Sequence, residues 1–330
     1  MYDIIGDVHG YVEPLKQLLT KLGYAPNPQG VWAHPSRSVI FVGDLIDRGP
    51  GHVELIELVR GMQEAGSARV IMGNHELNAI AYASPHPDKL GSYLRAHSKG
   101  RVKQHTEYLE QVGEGSALHQ EHIAWFKTLP LWFEEEGLER EGLRIVHACW
   151  HTESMARLAP LLTSDHRLSE STLHDPYYGG IFTKGTQPFQ DLERVLKGVE
   201  IKLPKGVSFS TEGIERHEAR VRWWLRDPQT WEDVVVLDPK DATPLHGAVL
   251  SDADRSKLYY DDLPTPVFFG HYWMQGEPHV CAPNAVCVDW SIGKKRPQGS
   301  RLAAYRWTKG EALSDDHFVW VERKTTPKTT

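Results

Sequence analysis

Three stretches within the first 76 residues decide the fold, and they read Ile4-Ile5-Gly6-Asp7-Val8-His9-Gly10, Phe41-Val42-Gly43-Asp44-Leu45-Ile46-Asp47-Arg48-Gly49 and Ile71-Met72-Gly73-Asn74-His75-Glu76. Each stretch begins with the last residues of a short apolar run, and such a run is typical of a buried strand. In each stretch a glycine follows the apolar residues, and a polar residue follows the glycine. Two segments with apolar residues at helical spacing separate the runs, and the first of them ends at Gly23. Strands and helices that alternate in this way predict an α/β fold with parallel strands.

The polar residues that follow the three runs predict a ligand site. Ligands of open α/β sheets bind at the carboxyl ends of the strands, where Asp7, Asp44 and Asn74 would meet. Carboxylate, amide and imidazole groups suit divalent metals, and His9 would lie on the same side of an extended chain as Asp7. A single Gly-Asp pair commonly does no more than cap the next helix, but three such turns in succession favour a metal centre.

Two later histidines follow apolar runs in the same manner. His147 comes after the run 143–146, and His271 comes after the run 266–270. The two oxygens of Asp44 allow this carboxylate to bridge two ions, and the later histidines would complete the coordination of the second ion. Because His151 lies near His147, the sequence leaves two candidates at this position.

The composition excludes several classes of protein. The chain has 330 residues, of which 40% are hydrophobic and 25% charged, so it is neither a disordered chain nor a coiled coil. Its formal net charge of −7 argues against a protein that coats nucleic acid through a positive field. Three cysteines are too few for a disulfide scaffold and suit a reducing compartment. Without a signal-like start or an apolar run of about 18 residues, we expect a cytoplasmic protein with no membrane span.

We expect one domain over residues 1–321, followed by a flexible tail at 322–330. Two insertions, at about 84–128 and 152–262, would decorate this domain. The first reads as polar helices without a strand, and it has five basic residues against one acidic residue between Asp88 and His105. The second is irregular and includes a helix-like segment at 188–197.

The three stretches resemble the motifs of a known family. They match Gly-Asp-x-His-Gly, Gly-Asp-x-x-Asp-Arg-Gly and Gly-Asn-His-Glu without a gap, as in the phosphoprotein phosphatase branch of the calcineurin-like metallophosphoesterases. This branch includes bacterial serine/threonine phosphatases and diadenosine tetraphosphatases. The resemblance covers residues 1 to about 80 and the surroundings of His147 and His271, although the family's His-Gly-Gly is His147-Ala148-Cys149 here. It implies an α/β metallophosphoesterase fold, a double β-sheet sandwich flanked by helices, here with a helical insertion.

The resemblance also implies a cofactor of two divalent metal ions, with Mn²⁺ as the first choice and Fe or Zn as alternatives. One carboxylate, that of Asp44, would bind both ions. The implied ligands are Asp7, His9 and Asp44 for the first ion, and Asp44, Asn74, His147 and His271 for the second.

Three further residues receive catalytic roles from the resemblance. His75 would protonate the leaving group as the general acid, Asp47 would pair with it, and Arg48 would bind the phosphate with its planar guanidinium. The family also uses a second phosphate-binding arginine. The candidates between the two later histidines are Arg220, Arg222 and Arg226, of which we select Arg222.

Together these residues predict a metal-dependent phosphatase. We expect it to hydrolyse phosphate monoesters, on phosphoproteins or small molecules, by direct attack of a hydroxide that bridges the two metals. The alternative is a hydrolase of dinucleoside polyphosphates such as diadenosine tetraphosphate, in which the basic residues from Lys89 to Lys103 would contact several phosphates. A catalytically silent module and a nucleic-acid phosphodiesterase fit less well, because the ligands are present and the net charge is negative. The sequence leaves the physiological substrate and the oligomeric state open.

Overall fold

The computed structural model describes residues 1–174, 181–211, 214–260, 264–294 and 299–323, in which short strands alternate with helices. The strands are β1 (Tyr2–Ile5), β2 (Ala25–Pro26), β3 (Trp32–Ala33), β4 (Ser38–Phe41), β5 (Ala68–Val70), β6 (Trp132–Glu135), β7 (Leu143–Val146), β8 (Glu200–Lys202), β9 (Phe209–Thr211), β10 (Ile214–Arg216), β11 (Glu218–Arg220), β12 (Val267–Phe269), β13 (Ala285–Cys287), β14 (Arg301–Trp307) and β15 (Phe318–Glu322). The helices are α1 (Val12–Leu22), α2 (His52–Glu64), α3 (Asn74–Ala83), α4 (Lys99–Val112), α5 (Ala117–Lys127), α6 (Thr152–Leu158), α7 (Glu170–His174), α8 (Gln187–Lys197), α9 (Trp231–Val234), α10 (Pro239–Ala242) and α11 (Asp252–Arg255). The expected tail at 322–330 lies outside the described residues from position 324 onward.

The first sheet has five strands in the order β15-β14-β1-β4-β5. β1, β4 and β5 are parallel, with Ile5 beside Phe41 and Phe41 beside Val70. β14 is antiparallel to β1, and β15 is antiparallel to β14. The predicted parallel strands are therefore present within a mixed sheet, and their carboxyl ends lie side by side.

A second mixed sheet has the order β13-β12-β7-β6. In it, β12 is parallel to β7 and β13, whereas the edge strand β6 is antiparallel. Ile4 and Ile40 of the first sheet share a buried cluster with Ile145 and Phe268 of the second. The expected α/β double-sheet sandwich is confirmed.

The other face of the first sheet packs against helices. Because successive side chains of a strand point to opposite faces, Ile5 and Phe41 lie in a different cluster from their strand neighbours. That cluster contains Leu18 of α1 and Leu55 of α2. The sandwich is thus flanked by helices, and the turns between the parallel strands and these helices form one edge of the molecule.

The first insertion is helical, as expected, and contains α4 and α5. The buried side of α4 consists of His105, Tyr108, Leu109 and Val112, whose spacing of i, i+3, i+4 and i+7 is that of a helix packed on a core. Whether residues 1–321 form one domain stays a prediction.

The second insertion packs onto the strand that leads to His271. Trp223 and Trp224 are buried, with ring centroids 5.0 and 4.9 Å from that of Phe269 in β12. These tryptophans therefore serve the core. Among the described residues, no helix has both the length and the apolar character needed to cross a membrane.

Candidate metal centre

The turns after the parallel strands approach one another too closely for most side chains. A Cβ atom at Gly73 would lie 2.2 Å from the backbone nitrogen of Asp44, and one at Gly270 would lie 2.1 Å from Oδ1 of Asp7. At Gly73 and Gly270, glycine is therefore required because the neighbouring turn comes too close for a side chain, and not because the backbone needs a positive φ. Two predicted ligands adopt a left-handed backbone conformation themselves, with φ of 49° at His9 and 52° at Asp44.

His9 and the two aspartates form a first group of potential metal ligands. Nδ1 of His9 lies 2.9 Å from the carbonyl oxygen of Ile46 and donates to it, so Nε2 faces the carboxylates with its lone pair. This Nε2 lies 3.7 Å from Oδ2 of Asp44 and 4.0 Å from Oδ2 of Asp7, too far for a hydrogen bond. It is buried without a hydrogen-bond partner. Such a set of lone pairs fits a divalent cation.

A second group surrounds the other oxygen of Asp44. Nδ1 of His147 donates to the carbonyl of Val42 at 2.7 Å, which directs Nε2 toward Oδ1 of Asp44 at 3.3 Å and Oδ1 of Asn74 at 3.1 Å. His271 belongs to the same group, and both of its ring nitrogens are buried without a partner. The structure thus brings the six predicted ligands together, with Asp44 common to both groups. His151 instead caps α6, where its Nδ1 accepts from the backbone of Ser154.

Several buried carboxyl groups lie close together in this region. The carboxyl groups of Asp7, Asp44, Glu76 and Asp289 are all buried. Burial, and then the charges of Asp289 and Asp44, raise the pKa of Asp7 well above its usual value. Burial also raises the pKa values of Glu76 and Asp289. Burial acts on Asp44 in the same direction, but the neighbouring His147 and His75 outweigh it and hold the pKa of Asp44 well below its usual value.

Two of the predicted ligands, His9 and His271, have unpartnered buried nitrogens and pKa values that favour the neutral form. Burial lowers the pKa of His9 to about 3, assisted by the charge of His75. Burial, assisted by Arg220, lowers the pKa of His271 well below its usual value. Because a metal-binding imidazole must be neutral, both side chains are prepared to act as ligands.

His75 lies beside this pair of groups and is bound to Asp47. Its Nδ1 donates to Oδ2 of Asp47, and its Nε2 lies 3.7 Å from Oδ2 of Asp44. Burial lowers the pKa of His75, but the carboxylates of Asp44 and Asp47 outweigh burial and raise the pKa overall. The distances alone would also allow His75 to join His9 and Asp44 as a ligand. The second oxygen of Asp47 accepts from His105 at 2.9 Å.

Of the arginines, Arg48 and Arg220 reach the site, and Arg222 does not. The guanidinium of Arg48 lies 4.7 Å from the ring centroid of Trp273, and its Nε is buried without a partner. Arg220 has a buried, unpartnered Nε as well, and its charge acts on His271.

The selection of Arg222 as the second phosphate ligand is therefore corrected. Its Nη1 donates to the carbonyls of Glu232 at 3.0 Å and Asp233 at 2.7 Å, which fixes the guanidinium on α9. Burial and then the charge of Asp233 dominate its pKa, and no predicted metal ligand contributes to it.

Two further buried acids organise the site and were missed in the sequence. Glu76 accepts from the backbone of Asp44 at 2.9 Å and Leu45 at 2.8 Å, and from Gly73 at 2.9 Å, so it joins two ligand-bearing turns. Its place three residues after Gly73 is the signal of a capping box. Asp289 accepts from the backbone of Trp273 at 2.8 Å and follows the run of β13, a strand-end acid without the preceding glycine.

Two groups of potential metal ligands that share the carboxylate of Asp44 therefore lie at the edge of the double-sheet sandwich, an arrangement suited to two divalent cations. A family model described as calcineurin-like phosphoesterase matches residues 2–272. The chain belongs to this family, whose members are hydrolases of phosphoesters with a dinuclear divalent metal centre.

The curated relatives of the chain include several bis(5'-nucleosyl)-tetraphosphatases. The chain is 33% identical over 148 residues to the asymmetrical bis(5'-nucleosyl)-tetraphosphatase PrpE of Bacillus subtilis, a match that covers 44% of this chain and 57% of the relative. It is 48% identical over 133 residues to PrpE of Halalkalibacterium halodurans, covering 39% and 48%. It is 29% identical over 201 residues to the symmetrical bis(5'-nucleosyl)-tetraphosphatase of Shewanella sediminis, covering 57% and 59%. The chain thus spans about half the length of the curated relatives that it matches.

Solved structures resemble the chain more distantly. A protein serine/threonine phosphatase from Saccharomyces cerevisiae with similarity to human phosphatase PP5 aligns with 99% of this chain and 81% of its own, at 14% identity and a TM-score of 0.48. A cold-active protein tyrosine phosphatase aligns with 92% of this chain and 73% of its own, at 15% identity and a TM-score of 0.45.

Proposed function

We propose that this chain is a metal-dependent hydrolase of dinucleoside polyphosphates. The observation that carries the hydrolase is the carboxylate of Asp44, which lies between two groups of histidines. The substrate class is supported by the relatives, which are asymmetrical and symmetrical bis(5'-nucleosyl)-tetraphosphatases. The sequence alone placed phosphate monoesters first, and the relatives favour the alternative.

The six ligands would hold two divalent cations. Such cations supply an activated water at neutral pH and positive charge for the phosphate oxygens. The carboxylates of Asp7 and Asp44 would offset only half of the charge of two such ions, which leaves a net attraction for an anionic substrate. The nitrogen and oxygen donors, without a thiolate, suit Mn²⁺, which we expect to support the highest activity.

The remaining side chains would bind the phosphate chain and deliver a proton. Arg48 would hold the phosphoryl group in two parallel hydrogen bonds, and Arg220 would supply the second guanidinium. His75 would give the proton on Nε2 to the departing oxygen, while Asp47 keeps Nδ1 protonated. We expect water to attack phosphorus directly, without a phosphorylated enzyme, because water activated by two cations can serve as the nucleophile.

We expect the basic stretch of the first insertion to contact further phosphates of the substrate. Nη1 of Arg95 donates to Oδ1 of Asn78 at 2.6 Å, and Asn78 lies on α3 one turn beyond the ligand Asn74. Lys99 and Lys103 are exposed on α4. A substrate with four phosphates would therefore find positive charge beyond the reacting phosphoryl group.

The test compares three substrates with metal-stripped protein reloaded with Mn²⁺, Fe²⁺ or Zn²⁺. Diadenosine tetraphosphate, p-nitrophenyl phosphate and a phosphoserine peptide are assayed side by side, and chromatography separates ADP from ATP and AMP. We expect the highest kcat/KM on the dinucleotide. A higher value on either monoester would restore the phosphatase prediction, and no hydrolysis of any substrate with any metal would refute the hydrolase.

The direct attack is tested in water labelled with ¹⁸O. We expect one labelled oxygen in a phosphate of each product pair and no phosphorylated residue by mass spectrometry after acid quenching. A trapped phosphorylated residue would refute this mechanism.

A further inference from the structure

Asp47 is a fully buried carboxylate with a histidine on each oxygen. Oδ2 accepts from Nδ1 of His75, and Oδ1 accepts from Nδ1 of His105 at 2.9 Å. Asp47 itself is 0% exposed and His105 is 1% exposed, so both hydrogen bonds lie out of reach of solvent. Nothing in the three motifs points to His105, which belongs to the first insertion.

We propose that His105 is a positioning residue that orients the proton donor His75 through Asp47, an inference that rests on the proposed hydrolase function. The terminal torsion of an aspartate is soft, because its rotamer wells are broad. A single hydrogen bond to His75 would leave the carboxylate plane free to turn about that contact. A second hydrogen bond on the opposite oxygen fixes the plane, and with it the direction in which Nε2 of His75 points.

Without His105, the carboxylate would have to rearrange. Oδ1 of Asp47 would become a buried acceptor with no partner, which is costly. It regains a partner only if the carboxylate rotates or water enters, and either change moves the hydrogen bond to His75. Proton delivery depends on a donor within reach of the leaving oxygen. Loss of His105 therefore acts on the chemical step while the metal ligands keep their places.

The helix that carries His105 is fixed to the same loop at a second point. Oε1 of Gln111, also on α4, accepts from the backbone N–H of His52 at 2.8 Å, where α2 begins. Tyr108, between them, has its ring centroid 5.9 Å from that of His52. Because α4 contacts the loop from Asp47 to His52 at both ends, it holds His105 in one place. The insertion thus serves the active site directly.

The experiment uses three variants of the full chain loaded with Mn²⁺. His105→Leu removes the donor, whereas His105→Asn places an amide N–H where Nδ1 was and should restore it. His122→Leu is the matched control, because His122 is a buried histidine on α5 whose Nδ1 contacts Tyr108 at 3.3 Å and not Asp47. Each variant is tested for metal content, for thermal unfolding, and for kcat on phosphate esters with good and poor leaving groups.

A positioning role predicts a selective loss. His105→Leu should lower kcat on the poor leaving group by about tenfold, less than removal of the acid itself. It should change kcat on the good leaving group by no more than about threefold, because that reaction needs little proton assistance. His105→Asn should recover most of the loss, and His122→Leu should show none. In a His75→Asn background, His105→Leu should have no further effect.

A second measurement is independent of activity. In metal-free protein with ¹⁵N-labelled histidine, nuclear magnetic resonance should show His75 protonated on Nδ1, and His105→Leu should shift or broaden that signal while His122→Leu leaves it unchanged. Equal losses on both leaving groups, additive losses in the double variant, or an unchanged His75 signal would each overturn the positioning role. If the wild-type protein hydrolyses neither diadenosine tetraphosphate nor any ester, the proposed function fails, and the resonance of His75 alone decides whether His105 positions it.

Discussion

Asp44 and Asp191 are both buried carboxylates, with 1% and 0% of their surface exposed, but they differ in the number of hydrogen bonds that they accept. Asp191, in α8, accepts from Ser154 at 2.6 Å, from Arg157 at 2.7 and 2.8 Å, and from Gln187 and Arg194 at 3.1 Å. Asp44 has one backbone donor, His75, at 2.9 Å, while its Oδ2 lies 3.7 Å from the nearest ring nitrogens. The first carboxylate is satisfied by the protein alone, and the second is not.

This difference separates a structural acid from a functional one. A buried charge is tolerated when donors of the protein surround it, as around Asp191. Around Asp44 the protein supplies fewer donors, and the unpartnered buried nitrogens of His9 and His271 lie near the same carboxylate. Such a region is suited to bind cations. Burial of a carboxylate alone therefore does not identify a functional site. The distinguishing feature of Asp44 is that buried polar atoms without hydrogen-bond partners lie around it.

The largest expected effect tests the functional acid. Asp44→Asn should lower turnover by roughly 10³-fold and lower the metal content, because the shared carboxylate provides several kcal/mol of charge stabilisation through the ions. The metal-free protein should lose less than about 1 kcal/mol of unfolding free energy, since an amide oxygen can still accept from His75. Elemental analysis, kinetics and urea unfolding measure the three quantities. Normal metal content in this variant would contradict the shared-ligand assignment.

The next effect concerns a residue at the boundary of the metal groups. His75→Asn should lower kcat on poor leaving groups by about 10²-fold, within the range of general acids, and leave metal content unchanged. The acid assignment rests on the hydrogen bond to Asp47, whereas the 3.7 Å distance to Asp44 would also suit a ligand. Loss of one ion per chain on elemental analysis would show that His75 is a ligand and that the functional group of donors is larger than proposed.

Much of this contrast could be predicted from the sequence, because local patterns encode it. Asp7, Asp44 and Asn74 follow apolar runs directly, and parallel neighbouring strands must bring their carboxyl ends together. In the second insertion the predicted helix-like segment at 188–197 is present as α8, which carries Asp191. The rest of that insertion escaped prediction, because the strands β8 to β11 have three residues each and α9 to α11 have four, too short to show a period. The first insertion was predicted to be helical, but its sequence cannot say which loop the helix of His105 contacts.

The structural acid should show the reverse pattern. Asp191→Asn should cost about 2 kcal/mol of unfolding free energy, about 30-fold in the folding equilibrium, because the charge that pairs Arg157 and Arg194 is lost. This value is at the low end for buried pairs, since the side chain of Arg157 is 43% exposed and regains water. Turnover and metal content of the folded variant should stay within twofold of the wild type. A loss of bound metal would show that the two regions are coupled.

The same acid should make the insertion sensitive to low pH. Burial raises the pKa of Asp191, but the hydrogen bonds from Arg157 and Ser154 outweigh burial and hold it below the usual value. A carboxyl whose folded-state pKa is below its unfolded value of about 3.9 stabilises the protein above that pH and loses the contribution as the pH falls through the folded-state pKa. Wild-type stability should therefore fall below about pH 4 more steeply than that of Asp191→Asn in urea titrations. Parallel curves would contradict the assignment.

The smallest effect applies the same criterion to two arginines only two residues apart. Arg220 has a buried Nε without a partner, whereas Arg222 donates to two carbonyls on α9. Arg220→Ala should therefore lower kcat/KM by about tenfold, the equivalent of about 1.4 kcal/mol for a charged hydrogen bond to phosphate. Arg222→Ala should leave kcat/KM within twofold and cost about 1 kcal/mol of unfolding free energy for the two lost hydrogen bonds. The reverse result, a kinetic defect confined to Arg222→Ala, would restore Arg222 as the second phosphate-binding arginine. It would also show that a buried polar atom without a hydrogen-bond partner, such as Nε of Arg220, does not identify a substrate-binding residue here.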